Sequence, residues 1–244
     1  MEKDRSYLER ALDALEETLW LTRCVGCDAA GELLCESCRS ELPWIDQSRA
    51  CPVCGAPYGR MVCTECKRDW PGDGVACALS YEGVARRIVT TYKDHHETRL
   101  AALIAQGLWK LLQELSKTAD AEGSPRLDLS SLDGIVVVPD TAEARARRGF
   151  DHMELIGKHL SRLSGLPLFV LLENRNTADL RHLGKEERAR QMESAIACTQ
   201  STFGMRLLLV DDVITTGTTV KSCMRSLKAQ GALYVFTAAF ARVW

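Results

Sequence analysis

The sequence contains no apolar run near the roughly 20 residues that a helix needs to cross a bilayer. Membrane insertion is therefore not expected. A secretory leader is not expected either, because Met1-Glu2-Lys3-Asp4-Arg5 runs into acidic amphipathic sequence rather than an apolar core. Together these absences point to the cytoplasm. Charge of one sign is also missing: 31 Lys and Arg against 33 Asp and Glu give a net charge of -2. That balance offers no global attraction to nucleic acid, so any such surface must be local. Hydrophobic residues at 46% and charged residues at 26% are ordinary for a globular protein. The 244 residues suffice for one large domain or two smaller ones with a sizeable core.

Cysteine is what the chain has in excess. Eight of its 11 cysteines fall between Cys24 and Cys66 as four C-x-x-C pairs. In a cytosolic setting that spacing means metal rather than disulfides. Gly26 and Gly55 relax the turns beside Cys27 and Cys54. Four thiolates close a tetrahedral Zn²⁺ site with no open position, which makes such a site structural. The simplest partition follows the chain: Cys24, Cys27, Cys35 and Cys38 on one zinc, Cys51, Cys54, Cys63 and Cys66 on a second. Cross-pairing stays open, iron–sulfur ligation is a lesser alternative, and four pairs in tandem argue against a redox C-x-x-C. Cys77, Cys198 and Cys223 stand in apolar or helical contexts and read as packing residues.

The second concentration of chemistry is Leu207 to Thr219, LLLVDDVITTGTT. Four apolar residues read as a buried strand of a parallel sheet, ended by Asp211 and Asp212. A Thr/Gly run then leads into a helix with Val220, Met224 and Leu227 on one face. A helix N-terminus offers free N–H groups and positive dipole to an anion. Gly217 permits close approach and the threonines add donors. The two aspartates would repel a phosphate unless they face another part of the ligand, such as vicinal sugar hydroxyls or a Mg²⁺ ion. A ribose 5-phosphate satisfies both halves. The stretch resembles, at all thirteen positions, the PRPP-binding signature of type I phosphoribosyltransferases.

Taken in order, the chain opens with an amphipathic helix in 1–22 (Leu8, Leu12, Leu15, Leu19), followed by the cysteine block in 23–70. A breaker-rich linker at Asp69–Gly74 precedes a third region, 75–244. There Val75–Tyr81 reads as a strand, Gly83–Tyr92 and Arg99–Leu115 as helices, and Gly134–Val138 as a strand stopped by Pro139. Met153–Leu163 reads as a helix, Leu166–Leu172 as a strand, Ala195–Thr199 as an edge strand, and Leu233–Val243 as the last strand. Asn174–Arg190 shows no period. Alternating strands and helices imply a parallel α/β sheet with ligands at the carboxyl ends of its strands.

With cysteine knuckles in front and this signature behind, the chain resembles the ComF family in its ComFC form. That form is a double zinc ribbon fused to a type I phosphoribosyltransferase-like domain with a mainly parallel sheet. Supporting pieces are Tyr81-Glu82-Gly83, Lys93, Val138-Pro139, Arg147-Arg148-Gly149-Phe150 and Glu187-Arg188. Where the family usually has Asn-Gln after that Gly-Phe, this chain has Asp151-His152. Leu180, Gln191 and Val137 replace the family's Gln, Asn and first Pro.

The resemblance implies PRPP as ligand, with Mg²⁺, and a role in natural competence and DNA uptake. In such a site Thr215, Thr216, Gly217, Thr218 and Thr219 hold the 5-phosphate, while Asp211 and Asp212 hold the ribose and favour an oxocarbenium-like transition state. Pro139 and Asp140 form the pyrophosphate loop, with Arg148 and Lys93 as its cations and Arg145 and Arg147 nearby. Sequence identifies no base for an incoming nucleophile; His95 and His96 are left outside the site, while His152 and His182 could tune it, although a lone histidine carries little information. Three functions follow. The first is a PRPP-binding protein whose ribbons contact single-stranded DNA or a DNA-uptake helicase. The second is an active phosphoribosyltransferase with an unknown acceptor. The third is an interaction module with a degenerate second domain. The substitutions at 151, 152, 180 and 191 favour the first over the second, and the intact cradle disfavours the third. The ribbon block mixes acids with bases and has no basic stripe; Trp44, Tyr58 and Trp70 fit base stacking or core packing equally.

Overall fold

The computed structural model describes residues 22–66, 69–118, 125–175 and 195–244. The expected helix ahead of Thr22, together with Leu180, His182, Glu187, Arg188 and Gln191, lies outside the described residues. The chain divides into two compact units, Met1–Leu42 and Pro43–Trp244.

The described part of the smaller unit is one cysteine knuckle and a short helix, α1 (Glu36–Ser40). Its turns are closed by Cys24 N donating to Ala29 O (2.8 Å) and Val25 N to Leu33 O (2.9 Å). An isolated bridge joins Arg23 and Ala30.

The larger unit is built on a five-stranded sheet in the order β1-β7-β6-β2-β3, with every neighbouring pair parallel. The strands are β1 (Gly74–Ser80), β2 (Gly134–Val137), β3 (Leu168–Phe169), β6 (Arg206–Ile214) and β7 (Tyr234–Arg242). Leu207 to Val210 are wholly buried, as expected of a strand covered on both faces. The covers are α2 (Gly83–Asp94), α3 (Leu100–Leu115), α5 (His152–Ser164) and α6 (Thr218–Ala229). In α3 the buried Leu100, Ile104, Leu108, Leu111 and Leu115 form the apolar face. Gly107 of that helix lets the Phe240 ring come so close that a Cβ would stand 2.7 Å from it.

Two readings of the sequence need correction. The acidic pair does not end β6: Asp211 pairs with Ala239 and Ile214 with Arg242, because β7 runs alongside and supplies ladder partners past the carboxylates. Leu166–Leu172 is not one strand. The chain turns out at Val170, which is 69% exposed. Leu168–Phe169 joins the main sheet, while β4 (Leu172–Asn174) pairs antiparallel with β5 (Ile196–Cys198) in a separate two-stranded sheet. The arginine run is helical. It forms α4 (Ala142–Arg148), capped by the Thr141 hydroxyl accepting from Ala144 N and closed by Gly149 in the left-handed region (φ 75°).

β2 and β6 are adjacent and parallel, so the loops that follow them emerge side by side at one edge. That is where an open parallel sheet places its ligand.

Candidate functional site

A cavity of about 360 Å³ opens at the carboxyl ends of β2 and β6. Pro139, Asp140, Arg148, His152, Asp211 and Asp212 line it, together with Lys93 and Thr219. Three segments remote in sequence thus bring seven of the expected site residues, Lys93, Pro139, Asp140, Arg148, Asp211, Asp212 and Thr219, to one place. Arg145 does not join them: it pairs with Asp151 at 3.1 Å on the outer side, its side chain 55% exposed.

The loop Thr215–Thr219 follows β6. Gly217 has φ 78°, the left-handed conformation that glycine adopts without strain, and it is the N-cap of α6. Gly217 offers no side chain to cap that helix; Thr218 N makes a long contact of 3.4 Å to Thr216 Oγ1, and the next N–H groups of the first turn can serve an incoming anion. The Thr216 and Thr218 hydroxyls lie 3.0 Å apart, and Lys221 N donates to Gly217 O (2.9 Å). From beneath, the buried Arg242 guanidinium donates through Nη1 to the carbonyls of Ile214 and Thr215. Arg242 fixes the start of the loop by its carbonyl side and leaves the N–H side free. Sequence reasoning gave Arg242 no such role.

The acids are held by a buried network of alternating charge. Lys93 Nζ donates to both oxygens of Asp212, at 2.8 and 2.7 Å. His152 bridges the two strand ends: Nε2 lies 2.9 Å from Asp212 and Nδ1 2.6 Å from Asp140. Arg148 Nη1 meets the Asp140 carboxylate at 2.9 and 3.1 Å. The same nitrogen lies 3.0 Å from His152 Nδ1. A ring nitrogen cannot donate to Asp140 while accepting from Arg148, and the shorter carboxylate contact makes it the donor. Tyr92 Oη donates to His152 O at 2.6 Å and fixes the start of α5.

Burial opposes the charge on His152, but the carboxylates of Asp140 and Asp212 outweigh it and hold the imidazole above its ordinary pKa. Burial works against Asp212 too, yet Lys93 and His152 hold its carboxyl well below the usual range. Asp140 is likewise depressed by His152 and Arg148 against its burial. Asp211 goes the other way: burial, then the neighbouring Asp212 charge, push it up to about 7. Two adjacent aspartates thus differ in protonation, one a fixed anion and one a near-neutral hydrogen-bonding group.

His152 is the main residue that sequence reasoning missed. A lone histidine carries little signal. The usable sign was its position, directly after Arg147-Arg148-Gly149-Phe150 at a place where the residue type departs from the family's.

The cysteines form two separate clusters, Cys24/Cys27/Cys35/Cys38 and Cys51/Cys54/Cys63/Cys66, with the four sulfurs of each within 4.8 Å of one another. Measured Sγ–Sγ separations are 3.6 Å (Cys24–Cys35), 3.7 Å (Cys27–Cys35), 3.8 Å (Cys51–Cys66) and 3.7 Å (Cys54–Cys63). A tetrahedral Zn²⁺ with bonds of about 2.3 Å spaces its sulfurs about 3.8 Å apart. A disulfide would need about 2.05 Å. Each donor set fits a four-thiolate metal ion, and the grouping follows the chain without cross-pairing.

Residues 156–243 match the family model described as "Phosphoribosyl transferase domain", and they include β6, its acidic pair, the Gly217 loop and α6. A purine phosphoribosyltransferase from Pyrococcus horikoshii aligns over 57% of this chain and 73% of its own, at 17% identity and a TM-score of 0.36. The "DNA utilization protein YhgH" of Salmonella typhi is 29% identical over 190 residues, 76% of this chain and 80% of its own. The "Competence protein ComFC" of Bacillus subtilis is 27% identical over 205 residues, covering 82% and 80%. The "Competence protein F" of Haemophilus influenzae is 24% identical over 221 residues, covering 86% and 92%. With the two four-cysteine clusters, these relatives bear out the resemblance to the ComF family. No helix among the described residues is long and apolar enough to cross a membrane.

Proposed function

We propose that this chain binds PRPP as its Mg²⁺ complex and acts in the handling of DNA during natural competence, with structural Zn²⁺ in both knuckles. The observation that carries the ligand reading is the pairing of an uncapped helix N-terminus at Gly217 with the Asp211–Asp212 pair on the preceding strand. Anion donors and hydroxyl-binding carboxylates stand one loop apart, as a ribose 5-phosphate requires. Asp140 and Asp212 are already paired to Arg148, His152 and Lys93. Mg²⁺ therefore enters on the pyrophosphate rather than as an ion held by these carboxylates, and Arg148 and Lys93 would receive the charge. The DNA-handling part rests on the competence and DNA-utilization relatives. The cysteine knuckles are the proposed contact for single-stranded DNA or an uptake partner.

Binding is favoured over turnover. Both ring nitrogens of His152 are engaged and its pKa is raised, so it is no free base for an acceptor. Calorimetry of the zinc-loaded protein with PRPP and Mg²⁺ tests the reading. Micromolar binding is expected, and Asp211→Asn/Asp212→Asn should lose it. Absence of binding by the folded wild-type protein overturns the ligand assignment.

A further inference from the structure

Trp70 is half-buried and shared between two packing groups of the larger unit. It lies with Val53 and Cys63 against the cluster of Cys51, Cys54, Ala56 and Cys66, and it also packs against the main core. Its indole edge rests on the phosphate loop. A Cβ built on Gly217 would stand 2.4 Å from Cη2 and 2.6 Å from Cζ2 of the ring. Lys221, in the first turn of α6, holds its Nζ 5.2 Å from the ring centroid. At the other end, Asp69 N donates to Cys66 O (3.0 Å), which ties the residue before Trp70 to the last cysteine of the knuckle. One side chain thus touches both a metal-binding cluster and the glycine that defines the loop.

We infer that Trp70 is a positioning residue through which the second knuckle holds the loop in its anion-accepting form; the inference rests on the phosphate reading of that loop. Arg242 braces the loop only through the carbonyls of Ile214 and Thr215. The glycine side is held by the indole, and the indole by the knuckle. A four-cysteine knuckle of this kind depends on its ion for structure. Removal of the ion frees Trp70, and Gly217 then explores the wide conformational range open to glycine.

The test is amide hydrogen exchange of the full ligand-free chain over 215–224, comparing zinc-loaded protein, chelator-treated protein, Trp70→Phe and Trp70→Ala. Chelation is expected to speed exchange of this segment about tenfold while β2 and the first half of β6 keep their protection. Trp70→Ala should give the same rise with zinc bound, and chelation should then add little, because both act through one contact. Trp70→Phe, which retains a ring, should fall between. Ribose 5-phosphate affinity should weaken by a similar factor. Unchanged loop exchange after zinc removal, additive effects of chelation and Trp70→Ala, or loss of protection across the whole sheet would each overturn the coupling. A loop that responds as described in a protein with no affinity for ribose 5-phosphate or PRPP would instead sink the phosphate reading and leave the coupling standing.

Discussion

Cys27 of the first knuckle is exposed, and that knuckle is closed by its own turns: Cys24 N to Ala29 O, and Gly26 N and Cys35 N to the Cys24 sulfur. In the second knuckle Cys51 and Cys54 are fully buried, Val75 N of β1 donates to Pro52 O, and Trp70 continues the packing to the Gly217 loop. One sequence rule, two C-x-x-C pairs, therefore serves two structural ends. The first knuckle gathers its four thiols by turns within a small unit. The second packs into the wall of a larger unit and, through Trp70, against the loop at Gly217. Spacing identifies the ligand set. It does not say how much of the fold leans on the ion.

The largest effect that could break this comparison comes from removing one thiolate in each knuckle. Cys54→Ser leaves three ligands beside a wholly buried polar group and should lower the cooperative melting of the larger unit by several kcal/mol. Cys35→Ser should release its metal and leave that transition in place. Equal losses by calorimetry would show that the two knuckles carry the same load. A smaller and sharper contrast uses one residue change. Gly55 (φ 71°) has Cys77 Sγ at 2.6 Å from where a Cβ would sit, whereas Gly31 (φ 118°) has open space. Gly31→Ala meets only backbone strain, about 1–2 kcal/mol. Gly55→Ala adds a collision with a buried sulfur and backbone, raising the expected cost to about 3 kcal/mol or more. Urea midpoints of the two variants decide it, and equal values would mean that the second knuckle yields as easily as the first.

Much of this was legible in the sequence for identifiable reasons. The eight cysteine ligands and the strand–loop–helix around Gly217 are local patterns, so spacing identifies them, although the grouping of the cysteines into two sets of four came from the structure. The β1, β2 and β7 strands announced themselves as apolar runs. What was not legible depends on pairing across distance. The extension of β6 through Asp211–Ile214 comes from β7, and the separate β4–β5 sheet comes from partners more than 20 residues apart. The same holds for His152. Its role is made by Asp140, 12 residues away, and Asp212, 60 residues away, and no window of sequence contains all three.

That cluster supplies the smallest effect, and one that separates the ligand end of the larger unit from its metal end. The folded pKa of His152 is raised, so its stabilisation is complete below the ordinary histidine value of about 6.5 and is lost as pH rises through the folded value. Asp140 and Asp212 are depressed, so their contribution is present above about 4 and fades only as pH falls through their folded values. Asp211, pushed up to about 7, lowers stability as pH climbs from about 4 to its folded value. His152→Gln keeps a hydrogen-bonding side chain between the two carboxylates and removes the charge. In urea titrations the wild type should therefore lose stability as pH rises from about 6.5 through the folded His152 value, a loss that the glutamine variant lacks. The decline between pH 4 and 7 should remain in both, since it belongs to Asp211. Thiolate knuckles gain rather than lose metal affinity as pH rises, so a weakening above neutrality that His152→Gln abolishes can only come from the cavity. If the variant follows the wild-type curve, the imidazole is not the charged bridge between Asp140 and Asp212.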